Sequence, residues 1–313
     1  MKAAQINGYG DTSAIELNEI EVPTPGNGQV LVEVHASSLN PFDTVVRAGY
    51  MKDMIPLAFP VTLGGDIAGV ITQVGEDVTD FVAGDKVYGQ ANVVAGNSGA
   101  FAQKAVTKAG QIAKLPNSLD FKQAGSMPLV GVSALQGITE HIKLVVGQKI
   151  FIHGGAGGIG TVAIQIAKNI GAYVATTAKS EDADFVKQLG ADEVIDYKSQ
   201  DFTEVLSDYD AVFDLVGGDD FNKSLTILKS GGVAVSMIAQ ADEDKVTELG
   251  VTAITQATHV KTDALNTLSE LIDQGVVTPQ IGKAFALSEI KEAFEARESG
   301  SVRGKVVIVV KES

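Results

Sequence analysis

Residues 153–168 read His153-Gly-Gly-Ala-Gly-Gly-Ile-Gly-Thr-Val-Ala-Ile-Gln-Ile-Ala-Lys168, directly after the apolar run Lys149-Ile-Phe-Ile152. Gly155, Gly157 and Gly160 carry the G-x-G-x-x-G spacing where a short β-rich run gives way to apolar residues at helical spacing: Ile159, Val162, Ile166 and Ile170. A dinucleotide pyrophosphate sits against the free N–H groups and partial positive charge of such a helix N-terminus. Glycine lets the turn close, lets the backbone approach the phosphates, and lets helix pack on strand. Gly155, Ala156, Gly157, Gly158, Ile159 and Gly160 are therefore the expected pyrophosphate loop of a nicotinamide dinucleotide site.

The pattern around this turn sets the fold class. From about residue 125, strands and helices alternate: strand Lys149–Ile152, helix Gly158–Ile170, strand Ala172–Thr177, helix Asp182–Leu189, strand Glu193–Asp196 and a short helix near Phe202–Leu206. Strand Ala211–Val216, helix Phe221–Leu228, strands Val233–Met237 and Val251–Thr255, and helix Asp263–Gln274 continue the series. Such alternation predicts a doubly wound parallel sheet with right-handed crossovers. The first ~120 residues are β-rich instead, with strands expected at Val30–Ala36, Asp66–Gly75 and Gly84–Gly89. The tail strand Lys305–Val310 is expected to rejoin that domain. The expected class is thus α/β: a β-rich domain of residues 1–124 and 280–313, and a dinucleotide-binding domain of residues 125–279.

With 313 residues, 45% of them hydrophobic, the chain has enough apolar surface for two domains. It has no cysteine, which removes thiolate catalysis, disulfides and sulfur-ligated zinc. A net charge of −15 argues against a nucleic-acid partner, since a phosphate backbone demands a basic surface. No run of about 18 apolar residues is present, so no membrane span is expected. Met1-Lys-Ala-Ala-Gln-Ile shows no signal-peptide pattern, and a cytoplasmic protein is expected.

The second strand of the series points to the form of the cofactor. An NAD site would carry an acid about 20 residues after the glycines, on the ribose 2′-hydroxyl. Here that strand ends Val174-Ala-Thr-Thr-Ala-Lys-Ser180. Lys179 suits a 2′-phosphate, and Thr177 and Ser180 can donate hydrogen bonds to it. Glu181 and Asp182 weigh the other way, but they fall where the next helix begins and acids favour a helix N-terminus. NADPH is expected over NADH.

Seven segments, in order and spacing, carry a family likeness over essentially the whole chain: Ser38-Leu-Asn-Pro-Phe-Asp-Thr44, Leu63-Gly-Gly-Asp-Ile-Ala-Gly-Val-Ile71, Gly84-Asp-Lys-Val-Tyr-Gly89, Met127-Pro-Leu-Val-Gly-Val-Ser-Ala134, Ala156-Gly-Gly-Ile-Gly160, Leu189-Gly-Ala-Asp-Glu-Val-Ile-Asp-Tyr197 and Glu298-Ser-Gly-Ser-Val-Arg-Gly-Lys305. The sequence resembles the medium-chain dehydrogenase/reductase superfamily, and within it the zinc-free quinone oxidoreductases related to zeta-crystallin. The resemblance implies a GroES-like substrate domain, a Rossmann domain and an active-site cleft between them. It also implies that the metal-ligand positions of zinc-containing relatives fall on Asn40, Gly65 and Val130, with Asp66 in place of the Glu that follows their ligand His. Gly and Val cannot ligate zinc, so no metal is expected. His35, His141, His153 and His259 are scattered and read as structural.

Without a Lewis acid the acceptor must take hydride readily, as quinones and enones do, because the charge moves onto a distant oxygen. The protein then needs positioning, hydrogen-bond donors and exclusion of water. Asn40, at the metal position, is the first candidate donor; a turn-forming Asn before Pro41 is the alternative reading. Tyr50, after Arg47-Ala-Gly49, is the candidate for orienting the carbonyl or supplying a proton, or else lines the pocket. The resemblance further places Tyr197 with Lys179 at the adenosine phosphate, Val216, Gly217 and Ile238 along the nucleotide, and Val130, Phe285 and Lys305 on the nicotinamide side, although Phe285 equally suits a core. It implies a homodimer through an edge strand of the Rossmann sheet, either Val233–Met237 or Val251–Thr255. An enoyl-thioester reductase and a non-catalytic NADPH-binding protein of crystallin type remain open as alternatives.

Overall fold

The computed structural model describes residues 1–312, which form two compact units. The first holds Met1–Leu129, Val260–Gln274 and the described residues from Pro279 onward; the second holds Val130–His259 and Gly275–Thr278.

The first unit opens with strands β1 (Lys2–Ile6), β2 (Ile15–Glu19), β3 (Gln29–Leu39), β4 (Val61–Thr62), β5 (Asp66–Val74), β6 (Lys86–Gln90), β7 (Lys104–Lys108) and β8 (Ile112–Lys114). The second contributes β9 (Lys149–His153), β10 (Tyr173–Ala178), β11 (Glu193–Asp196), β12 (Tyr209–Asp214), β13 (Leu228–Ser236) and β14 (Thr252–Thr255). The chain then returns to the first unit through β15 (Ile281–Ala286) and β16 (Lys305–Val309). As expected, the tail strand rejoins the N-terminal sheet: β16 pairs antiparallel with β3, Val306 opposite Leu39. That sheet runs β15-β16-β3-β5-β6-β8, with β7 also on β3, beside a small β2-β1-β4 sheet. Phe101, Phe294, Ile6 and Ile308 are fully buried in one of its cores.

The second unit is a six-stranded sheet in the order β11-β10-β9-β12-β13-β14, with every pairing parallel. Renumbered from β9 this is the order 3-2-1-4-5-6 of a doubly wound dinucleotide fold, whose ligands bind at the carboxyl ends of the strands where the order reverses. Central β9 presents Ile150, Phe151 and Ile152, all fully buried, as strands covered on both faces require. The helix Gly158–Ile170 covers it with Val162, Ala163, Ile166 and Ala167, and ends at Gly171 in the left-handed conformation (φ 89°), whose N–H caps Ala167 and Lys168.

Four local readings change. Strand β12 stops at Asp214 rather than Val216, because the Asp214 carboxylate accepts the N–H groups of Val216 and Gly217 and turns the chain there. The helix expected at Phe221–Leu228 covers Asp219–Ser224, and Leu228 already belongs to β13. Strand β13, one of the two candidate edges, is paired on both sides, by β12 and β14; only β11 and β14 are edges of this sheet. The helix Thr262–Asp273, last in the strand–helix alternation, packs in the first unit: Tyr88 donates its hydroxyl to Leu265 O at 2.6 Å, and the Asp273 carboxylate accepts from the backbone of Asn117 and Ser118. Among the described residues no helix is long and apolar enough to cross a membrane.

Candidate active site

In the second unit the glycines divide their labour. A Cβ on Gly155 would lie 2.1 Å from Thr176 Oγ1, and one on Gly160 would lie 2.3 Å from Gly154 O, so both are required for strand, turn and helix to pack. A Cβ on Gly157 would meet only Gly154 O, at 3.4 Å. Gly157 is exposed and is the N-cap of the helix, with no side chain to cap the first N–H groups. That open, uncapped helix start fits the pyrophosphate of a dinucleotide.

The structure brings the turn together with several expected contacts. Thr177 is buried and its hydroxyl accepts from Gly154 N at 2.9 Å, which ties the turn to β10. A Cβ on Gly154 would lie 3.2 Å from Val216 Cγ2, and one on Gly217 would lie 3.0 Å from Ile238 Cγ2. Val216 and Ile238 are exposed apolar side chains just past the ends of β12 and β13. At the ends of β10 and β11, Ser180 donates its hydroxyl to Asp196, whose carboxyl is held below its usual value by that bond and by Lys198 N–H. Lys179 Nζ lies 3.9 Å from Glu181, and Tyr197 is exposed beside them in sequence. Val130 is buried.

Beneath this rim lies a polar group that the sequence reading did not find. Asp214 is fully buried; it accepts from Val216 N (3.2 Å), Gly217 N (3.1 Å) and Ser236 Oγ (2.6 Å). His153 Nδ1 lies 3.2 Å from Asp214 Oδ1, without hydrogen-bond alignment. Burial pushes the Asp214 carboxyl up, but the contacts from His153, Ser236, Gly217 and Val216 outweigh it and hold the carboxyl below its usual value.

In the first unit, the end of β3 and the starts of β5 and β16 meet at Asn40, Asp66 and Lys305. Pro41 at the first helical position and Asp43, whose carboxylate accepts Asn40 N at 2.7 Å, start the helix Pro41–Ala48 from Asn40. Asn40 is buried: Nδ2 donates to Asp66 Oδ2 at 2.7 Å and Oδ1 accepts from Lys305 Nζ at 2.5 Å. Asp66 also accepts from Ser38 Oγ and from Leu129 N. Lys305, expected beside the nicotinamide, is instead enclosed; its three donors reach Leu39 O, Asn40 Oδ1 and Asp66 Oδ2. Burial pushes the Asp43 carboxyl up to about 7, with Asp66 adding to the shift, and burial pushes the Lys305 ammonium down. Phe285, in β15, packs against the apolar core of this unit. Tyr50 stands 78% exposed on the turn after the helix. Among the described residues no three His, Cys, Asp or Glu side chains gather as a metal-binding group. Asp66, known from the resemblance only as the residue in place of the Glu of zinc-containing relatives, has a role as shared acceptor that rests on partners 26 and 239 residues away.

Set against known proteins, residues 26–117 match the family "Alcohol dehydrogenase GroES-like domain", and residues 189–308 match "Zinc-binding dehydrogenase". The chain is 32% identical over 317 residues to the chloroplastic NADPH-dependent alkenal/one oxidoreductase of Arabidopsis thaliana, covering 98% of this chain and 79% of that one. The structure of the quinone oxidoreductase from Coxiella burnetii superposes with a TM-score of 0.92 at 33% identity, covering 99% of both chains. A mycobacterial protein solved in complex with NADPH superposes with a TM-score of 0.90 at 26% identity, covering 99% of this chain and 100% of that one. A GroES-like part followed by a Rossmann part defines an oxidoreductase of the medium-chain type. The chain belongs to the zinc-free quinone oxidoreductase branch of the medium-chain dehydrogenase/reductase superfamily.

Proposed function

We propose that this chain catalyses NADPH-dependent reduction of quinones or other α,β-unsaturated carbonyls, such as enones and alkenals, by direct hydride transfer without zinc. The observation that carries the reading is the bare helix start at Gly157, in a chain similar over nearly its whole length to a quinone oxidoreductase and an alkenal/one oxidoreductase. Bound there, NADPH supplies the hydride. The backbone of Ala156–Gly160 holds the pyrophosphate, Lys179 with Ser180 and Tyr197 meets the 2′-phosphate, and Val216, Gly217 and Ile238 line the nucleotide.

The chain's own contribution to the acceptor is positional and electrostatic. The Asn40 amide offers its second Nδ2 proton to the acceptor oxygen as negative charge develops there. Lys305 acts through Asn40, and Tyr50 orients the carbonyl or supplies its proton. Residues 1–124 and 280–313 take the substrate role, and residues 125–279 the dinucleotide role. Two copies pair through the edge strand β14, whose free backbone groups invite a partner strand, and the protein works in the cytoplasm.

The test is NADPH oxidation with 1,2-naphthoquinone, an alkenal, an enoyl-CoA, a plain ketone and no acceptor. Quinone and alkenal are expected to react far faster than the ketone. Turnover of the plain ketone with quinones and enones inert overturns the proposal; preference for the enoyl-CoA selects the thioester reductase instead.

A further inference from the structure

We infer that Asp214 is the positioning residue of the dinucleotide site, one buried carboxylate that holds three strand ends in register under the cofactor. The inference rests on the NADPH reading above and goes beyond it.

Asp214 is the last residue of β12, between β9 and β13. Its Oδ1 takes Val216 N and Gly217 N, which sets the turn that follows its own strand. Its Oδ2 takes Ser236 Oγ at 2.6 Å, and Ser236 ends β13. The same Ser236 oxygen accepts Ile238 N at 3.2 Å and Ala239 N at 2.9 Å, so the second turn hangs from Asp214 through one hydroxyl. On the other flank His153, the last residue of β9 and the neighbour of Gly154, lies 3.2 Å from Oδ1.

Each of these three strand ends leads into a segment read as cofactor-lining: the glycine turn after β9, Val216-Gly217 after β12, and Ile238 after β13. Asp214 and Ser236 themselves are fully buried and lie below that surface. Tight spacing makes register matter. A methyl group on Gly217 would already lie 3.0 Å from Ile238 Cγ2, and one on Gly154 would lie 3.2 Å from Val216 Cγ2. Shifts of a few tenths of an ångström at one turn therefore pass to the next. A carboxylate suits this task because it offers about four acceptor sites and no donor, matching the N–H and O–H groups aimed at it.

The experiment uses the full chain and two variants that cut different halves of the chain of bonds. Asp214→Asn keeps an acceptor for the backbone N–H groups but cannot accept from Ser236. Ser236→Ala keeps Asp214 and releases Ile238 N and Ala239 N. NADPH affinity is read by fluorescence titration, and steady-state kinetics with 1,2-naphthoquinone follow, at a temperature where thermal unfolding shows the variants folded. Asp214→Asn is expected to weaken NADPH at least tenfold and Ser236→Ala at least threefold, with kcat at saturating NADPH and KM for the quinone close to wild type. Ser236→Thr, which restores the hydroxyl, is expected to recover most of the affinity. Unchanged NADPH affinity in either folded variant overturns the proposal, as does failure of both variants to fold, which assigns the network to folding alone. Wild-type protein that does not bind NADPH removes the reading beneath it instead.

Discussion

Lys305 Nζ lies 2.5 Å from Asn40 Oδ1 and thereby decides which way the Asn40 amide points: oxygen to the ammonium, nitrogen to Asp66 Oδ2 at 2.7 Å. The three side chains come from the start of β16, the end of β3 and the start of β5, so a single contact closes three elements of the first unit.

Removing that ammonium strands two buried polar partners. Lys305→Met keeps the apolar stem and deletes the charge, leaving Asp66 and Asn40 without their cation. Breaking a buried pair in this way costs about 3–5 kcal/mol, and denaturant unfolding is expected to show a loss of that size. A loss below about 1 kcal/mol, the net worth of an ordinary hydrogen bond, would mean that Asn40 and Asp66 satisfy each other without the lysine.

Asp43 makes stability fall with pH in a defined window. Its folded-state pKa is raised from 3.8 to about 7 by burial, with Asp66 adding to the shift and Lys305 and Arg297 opposing it. The native form holds a proton that the unfolded chain releases, so the group's contribution is complete below pH 3.8 and is lost as pH rises to about 7. Asp43→Asn keeps an acceptor for Asn40 N and has nothing to titrate. The variant is expected to show a flatter dependence of melting temperature on pH between those limits than the wild type; identical slopes would exclude Asp43 as their source.

The two glycines of the turn are expected to fail in different ways. Gly160→Ala puts a methyl group 2.3 Å from Gly154 O and lowers the melting temperature sharply, since nothing but backbone stands in its way. Gly157→Ala meets only Gly154 O at 3.4 Å, so folding changes by a few tenths of a kcal/mol to about 1, the range for an N-cap change. NADPH binding by Gly157→Ala is nevertheless expected to drop, because the methyl group stands where the pyrophosphate approaches the backbone. Paired melting and titration experiments separate the two effects, and unchanged NADPH affinity in Gly157→Ala would move the phosphate elsewhere.

Lys179 is expected to distinguish the two nicotinamide cofactors. Its ammonium lies 3.9 Å from Glu181, at the end of β10. Lys179→Ala is expected to weaken NADPH by about 1–3 kcal/mol, the scale of a lost charge-assisted bond, and to leave NADH almost unchanged. Equal losses for both cofactors in a titration would refute the assignment.

Much of the second unit was legible in its residues because its signals are local. Helix Gly158–Ile170 and strand Glu193–Asp196 agree with expectation to the residue, since each is bounded by its own glycines or polar turns. The end of β12 was not, because Val216 is as β-prone as its neighbours and only the bonds to Asp214 turn the chain before it. The edge of the sheet was half legible: β13 and β14 are both apolar and β-branched, and nothing in either tells which has a neighbour on each side. Lys305 illustrates the limit most clearly. The resemblance places it on the nicotinamide side, and only its partners 239 and 265 residues away make it the buried centre of a network.

The sequence by itself determined the class of this protein: a glycine turn between strand and helix, and a strand–helix alternation. Those properties depend on spacing within a few turns of chain, where backbone geometry leaves little choice. Tertiary structure alone decided which polar residues are buried and to what they are bonded, namely Asn40 between Lys305 and Asp66, and Asp214 beneath three strand ends. A buried charge must find its partners wherever the fold supplies them, and strand pairing supplies them from distant parts of the chain.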